Sequence, residues 1–148
     1  MAIVRGCEFP EELYYWVEKH IWVQPMAEGL ARIGLTAAAY HQLRNTLTAI
    51  SLKTGSIGQE TPKGRSIAMV ESLKYIGALS APFAGVLVRG NERVAADPDA
   101  AAADPYGAGW IAEMRSTDWE AAKADLLTGA AAVAAYQALL EAQQLGCE

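Results

Sequence analysis

A chain of 148 residues, 52% of them hydrophobic, is large enough for one domain with its own core. Its net charge of −5 and pI near 5.0 exclude the basic stripe that nucleic-acid binding requires. Two cysteines, Cys7 and Cys147, are too few for a disulfide framework, and with His20 and His41 they show no metal-ligand spacing.

The first residues lack the apolar core of a signal peptide, and the longest uncharged run near the end, 126–140, is too short for a bilayer. The chain therefore reads as cytoplasmic, with no membrane segment. The aromatic and β-branched runs 13–17 and 21–23 predict strands, as does the alternating run 29–35. Thr36 is a candidate cap for a short helix over 37–43, and 47–52 alternates again. Gly55, Gly58, Pro62 and Gly64 mark turns. Runs 66–72 and 75–81 predict a hairpin around Lys74, and 86–88 another strand. Segment 91–109 reads as loop, and 110–114 as a last strand. Asp118 is a candidate N-cap for a helix through Leu127; Gly129 breaks it, and 130–145 is helical, with Val133, Tyr136 and Leu140 on one face.

Several short segments then occur in a telling order. They are Glu18-Lys19-His20-Ile21-Trp22, Ile33-Gly34-Leu35-Thr36, Glu71-Ser72-Leu73-Lys74, the trio Pro82, Gly85 and Asn91, and Asp104-Pro105-Tyr106-Gly107-Ala108-Gly109-Trp110. Each alone is weak; together, with these gaps, they resemble the H-protein family of the glycine cleavage system over about residues 15–127. The resemblance implies a mostly β fold, a lipoyl-domain-like barrel-sandwich hybrid of two small antiparallel sheets, with a short helix near 37–43 and C-terminal helices. It divides the chain into an N-terminal extension (1–12), a lipoyl domain (13–128) and a helical tail (129–148). It implies a carrier rather than an enzyme, with lipoate joined as an amide to the Lys74 amine. Glu71 and Ser72 are the candidates for recognition by a lipoate ligase or lipoyl transferase. Dihydrolipoyl dehydrogenase would reoxidise the arm.

The departures from the family pattern bear on the cargo. Tyr75 stands where a small residue is usual, and could pack on the arm or on the sheet. The helix after Thr36 carries no acidic residue, and Arg44 replaces the usual glycine after Leu43. A wall without acids suits an anionic cargo better than a cationic aminomethyl group. His41 on that helix is a candidate for lining the arm's cleft, since histidine changes charge near neutral pH. The N-terminal Arg5-Gly6-Cys7-Glu8-Phe9-Pro10 resembles the H-protein-like lipoate-binding proteins of bacterial sulfur oxidation, whose partner is a heterodisulfide-reductase-like complex. The expected function is thus a lipoyl carrier of sulfur cargo. The alternatives are an H protein serving the glycine cleavage P and T proteins, and a non-lipoylated adaptor.

For the remaining residues the expectations are plainer. His20 reads as a packed, hydrogen-bonded strand histidine, the tryptophans as core and edge packing, and Gly107 and Gly109 as turn residues. Cys7 and Cys147 read as free thiols in a reducing cytosol. Pairing, or reaction with sulfur cargo, is the alternative, and pairing needs Cα atoms within about 7 Å.

Overall fold

The structure is a computed structural model and describes residues 1–43, 46–73 and 76–147. Lys74 and Tyr75 lie outside the described residues, as does Arg44.

The chain opens with β1 (Ala2–Val4) and β2 (Cys7–Phe9), a hairpin that pairs Val4 with Cys7. Its two-residue loop, Arg5 and Gly6, takes positive φ at both positions (49° and 83°), the conformation that matches the twist of a tight hairpin. There follow β3 (Tyr14–Trp16), β4 (Ile21–Pro25), β5 (Leu30–Leu35), α1 (Ala37–Gln42), β6 (Leu47–Leu52) and β7 (Glu60–Thr61). Next come β8 (Ser66–Ser72), β9 (Ile76–Ser80), β10 (Gly85–Gly90), α2 (Glu92–Ala96), α3 (Pro98–Ala103) and β11 (Ala112–Ser116). The chain closes with α4 (Trp119–Ala124), β12 (Leu127–Thr128) and α5 (Gly129–Gln143).

The fold is mostly β, with antiparallel sheets and C-terminal helices, as the sequence implied. The sheets are unequal and do not close into a barrel. One has seven strands in the order β12-β3-β4-β5-β11-β10-β7, one has three in the order β6-β8-β9, and the N-terminal hairpin is a third. Three local expectations change. Segment 91–109 contains two short helices: the Asn91 side chain accepts from the Arg93 N–H to cap α2, and Pro98 sits in the first turn of α3, where its missing N–H costs nothing. The helix capped by Asp118, whose side chain accepts from Ala121 N–H at 3.2 Å, stops at Ala124, so that Leu127 can pair with Tyr15 at the sheet edge. Thr36 is fully buried and makes no capping hydrogen bond with its side chain.

The main core lies between the two larger sheets and includes Ile21, Val23, Ile33, Ile67, Leu79, Leu87 and Met114. On the other face of β4, Trp22 is fully buried and donates its indole N–H to Leu35 O at 3.0 Å. Trp22 and Gly34 are direct cross-strand partners. A Cβ at Gly34 would sit 2.7 Å from the indole ring, so the large residue requires the small one opposite. This contact links two of the sequence segments noted above.

A second core joins the chain ends to the sheet. Tyr136 of α5 stacks on Phe9 at 4.1 Å between ring centroids and meets Tyr15 edge-on at 5.8 Å, with Val4, Leu13, Val17 and Leu140 around them. Helix α5 therefore packs back on its own chain. Packing of α5 against the hairpin brings Cys7 and Cys147 to a Cα–Cα distance of 4.9 Å, and the two form a disulfide. The expectation of free thiols is corrected: 140 residues separate the cysteines in sequence, and the second core is what places them together.

Closing so long a loop restricts the unfolded chain. Cys7→Ser should lower stability by roughly 2–5 kcal/mol, on the order of 10 °C in Tm. Calorimetry of the variant, with reduced wild-type protein as a control, measures this.

Candidate functional site

β8 and β9 pair antiparallel up to Glu71 opposite Ile76, so the described residues that flank 74 and 75 in sequence, Leu73 and Ile76, stand at one end of the sheet. Glu71 and Ser72 are half-buried at the end of β8. Leu73 and Ile76 are exposed, at 77% and 66% of their surface. Large apolar side chains at that exposure make no contribution to the core and are available to a partner. The end of β8 is anchored to β6: Leu47 pairs with Ser72, and Leu73 N–H donates to Thr46 O at 2.8 Å.

That anchor also forms the rim of a cleft of about 870 Å³, within the roughly 300–1,000 Å³ typical of small-molecule sites. Leu43 and Leu47 line it beside the β8 end, Tyr40 and His41 line it from α1, and Pro105 and Tyr106 line it from the loop before β11. Cys7 and Cys147 also line it. The apolar part of its lining, Leu43, Leu47, Tyr40 and Pro105, suits an alkyl arm carrying a dithiolane, so the residues present fit a lipoyl group. The helix α1 itself carries no acid, as expected, but Glu8, Glu12, Asp99 and Asp104 supply carboxylates to the cleft from other elements. The expectation of an acid-free wall is thereby corrected; it failed because the wall is built from five separated stretches of sequence.

The Asp104–Trp110 segment shapes this wall. The Asp104 carboxylate accepts from Ala108 N–H at 3.0 Å, and Asp104 O accepts from Gly109 N–H at 2.9 Å. A Cβ at Gly107 would stand 2.5 Å from that carboxylate, and one at Gly109 2.5 Å from Asp104 O. Both glycines are thus required by close approach within the turn. Asn91 donates to Ala108 O at 3.0 Å and Trp110 O at 2.7 Å, locking the same turn to α2. The Tyr106 hydroxyl accepts from Ala37 N–H at 3.0 Å and donates to Glu8 O at 2.6 Å. Burial pushes its pKa far above the ordinary tyrosine value. It serves the N-terminus of α1 in place of a Thr36 cap.

His20 stacks on Tyr136 at 5.8 Å and lies at a left-handed position (φ 56°) before β4 rather than within a strand. Burial lowers its pKa below the ordinary histidine value. It is a packing residue: its Nε2 lies 3.5 Å from the Gln42 amide nitrogen at the end of α1, and its carbonyl accepts from Thr36 N–H at 3.0 Å, so it supports the helix without lining the cleft. Trp22 is core, and Trp119 packs edge-on against Tyr14 and Phe83, as expected of structural tryptophans. Among the described residues, no group of three or more histidines, cysteines or carboxylates is placed to hold a metal. No helix among them is long and apolar enough to cross a membrane.

The sequence profile of the family described as Glycine cleavage H-protein matches residues 13–139. The chain belongs to that family. It is 32% identical to glycine cleavage system H protein 2 of Aquifex aeolicus, over 97% of this chain and 87% of that protein. A probable glycine cleavage system H protein 2 of Sulfolobus acidocaldarius is 33% identical, over 100% of this chain and 98% of its own length. The crystal structure of a glycine cleavage system H protein from Mycobacterium marinum superposes with a TM-score of 0.72 at 30% identity, covering 88% of this chain and 99% of that one. Proteins of this family are carriers that hold lipoate covalently, and they work with partner enzymes.

One charged cluster had no signal in the sequence. Glu113 on β11 is 2% exposed and accepts from Arg32 Nε at 2.9 Å and from Arg89. Both guanidiniums lie over Trp110, at 4.9 and 5.2 Å from its ring centroid. Burial opposes the Glu113 charge, but the hydrogen bonds and charges of Arg89 and Arg32 outweigh it and hold the carboxyl below the usual glutamate range. A folded pKa below the unfolded one gives stability that is present above the unfolded value, near 4.3 on average, and lost as pH falls through the folded value. Glu113→Gln should therefore cost about 1–3 kcal/mol at pH 7, and the difference from wild type should shrink as pH drops below about 4. Denaturant melts at a series of pH values measure it.

Proposed function

We propose that this protein is a lipoyl carrier with lipoate joined to Lys74. The observation that carries the reading is the paired end of β8 and β9, which brackets Lys74 between two exposed apolar side chains, Leu73 and Ile76. The exposed side chains that flank position 74 offer a modifying enzyme an apolar surface to grip. Glu71 and Ser72, on the strand leading to it, are assigned to recognition by a lipoate ligase or lipoyl transferase. Tyr75 and His41 are assigned to contact with the arm, His41 because it lines the cleft beside the β8 end. Amide formation removes the Lys74 charge and supplies a dithiol at the end of a long tether. The chain's own contribution is to present that tether, to shelter it in the cleft and to dock on partners. A cytoplasmic location, with dihydrolipoyl dehydrogenase as reoxidising partner, belongs to the same reading.

Two cargoes each have an observation in their favour. The Cys7–Cys147 pair on the cleft wall favours sulfur cargo handled with a heterodisulfide-reductase-like complex. The carboxylates of Glu8, Glu12, Asp99 and Asp104 favour a cationic aminomethyl group exchanged with glycine cleavage P and T proteins.

Intact mass after co-expression with candidate lipoate ligases tests the modification. Wild-type protein should gain one lipoyl group and Lys74→Arg none; an unmodified wild type in its native host would overturn the assignment. Complementation separates the cargoes. Rescue of a strain lacking its glycine cleavage H protein is the outcome expected for an aminomethyl carrier, and failure of the lipoylated protein to rescue is expected for a sulfur carrier.

A further inference from the structure

The disulfide does more than join two ends: both of its sulfurs belong to residues that line the cleft, and the two differ in access. Cys7 is 1% exposed within the second core, whereas Cys147 is half-buried at the cleft surface. The same cleft is lined by Leu43 and Leu47, and Leu47 pairs with Ser72 on the strand that leads to Lys74. In a reducing compartment such disulfides are uncommon, and those found there are mostly catalytic or sensing.

We propose that Cys7–Cys147 is a thiol-exchange site for a dithiol of dihydrolipoyl type entering through the cleft. The proposal rests on the lipoyl reading only for the identity of the dithiol. Cys147 Sγ, the accessible sulfur, takes the incoming thiolate. A bond forms between Cys147 and the dithiol, the Cys7–Cys147 bond breaks, and Cys7 leaves with the electron pair and takes up a proton. Its apolar surroundings favour that neutral thiol. The second thiol of the dithiol then attacks its own sulfur in the mixed disulfide, releasing Cys147 as a thiol and closing a cyclic disulfide. Two electrons and two protons pass from the dithiol to the cysteine pair, and the reverse sequence returns them. The pair is thus a two-electron store within reach of the arm's own cleft.

The test uses the full chain unmodified at Lys74, with free dihydrolipoamide as probe and dithiothreitol as a dithiol of different shape, at equal thiolate concentration. Differential alkylation and intact mass report the state of Cys7 and Cys147. Dihydrolipoamide should open the bond at least fivefold faster than dithiothreitol. Ala103→Trp, an exposed position on the cleft wall, should abolish that advantage. In Cys7→Ser the remaining Cys147 thiol should capture oxidised lipoamide as a mixed disulfide seen by mass, whereas Cys147→Ser should capture none. Equal rates for the two dithiols, with no effect of Ala103→Trp, would reduce the bond to a structural link, and this wild-type comparison stands even if a cysteine variant fails to fold. Because the probe is free in solution, the outcome is independent of whether Lys74 is modified. A lipoylated Lys74 with an inert disulfide would sink this inference alone.

Discussion

The Tyr106 hydroxyl is the joint on which the cleft depends. It takes the first free N–H of α1 and gives its own proton to the backbone of the N-terminal hairpin. Three segments far apart in sequence, around residues 8, 37 and 106, are thereby fixed against one another. Without that joint the buried helix start would lack a partner, since Thr36 does not cap it. The turn that holds Tyr106 is in turn fixed by Asp104 and Asn91, which satisfy its backbone groups. The cleft is therefore a consequence of hydrogen bonding between short segments rather than of a deep fold in either sheet.

Much of the architecture was legible because its determinants are local. Alternation in 29–35 and 47–52 gave strands, and the hairpin around Lys74 emerged from two apolar runs with a short break. The ordered segments that point to the family also have physical explanations. Gly34 sits opposite Trp22 because nothing larger fits, and Gly107 and Gly109 crowd Asp104 too closely for a side chain. What escaped the sequence was of two kinds. Short helices in 91–103 were hidden by Pro98 and by aspartates that also mark loops. The N-terminal hairpin was hidden by its Arg-Gly turn, whose positive φ at Arg5 is unusual for a side-chain-bearing residue.

The site was legible only in part, for a different reason. Lys74, Glu71 and Ser72 stand within one short segment, so sequence alone brings them together. The cleft draws on the hairpin, α1, α3 and the last residues, so its charge and its sulfur atoms follow from tertiary packing. No local pattern announces that Glu113 receives Arg32 and Arg89 from the two neighbouring strands, or that residue 147 returns to residue 7.

That return makes almost the whole polypeptide a covalent ring. A protease that nicks one exposed peptide between the cysteines, for example among residues 53–59, leaves a single linked molecule while the bond is oxidised. The same nick in the reduced form leaves two fragments held only by packing. The ambient thiol balance would then decide how long a damaged molecule survives.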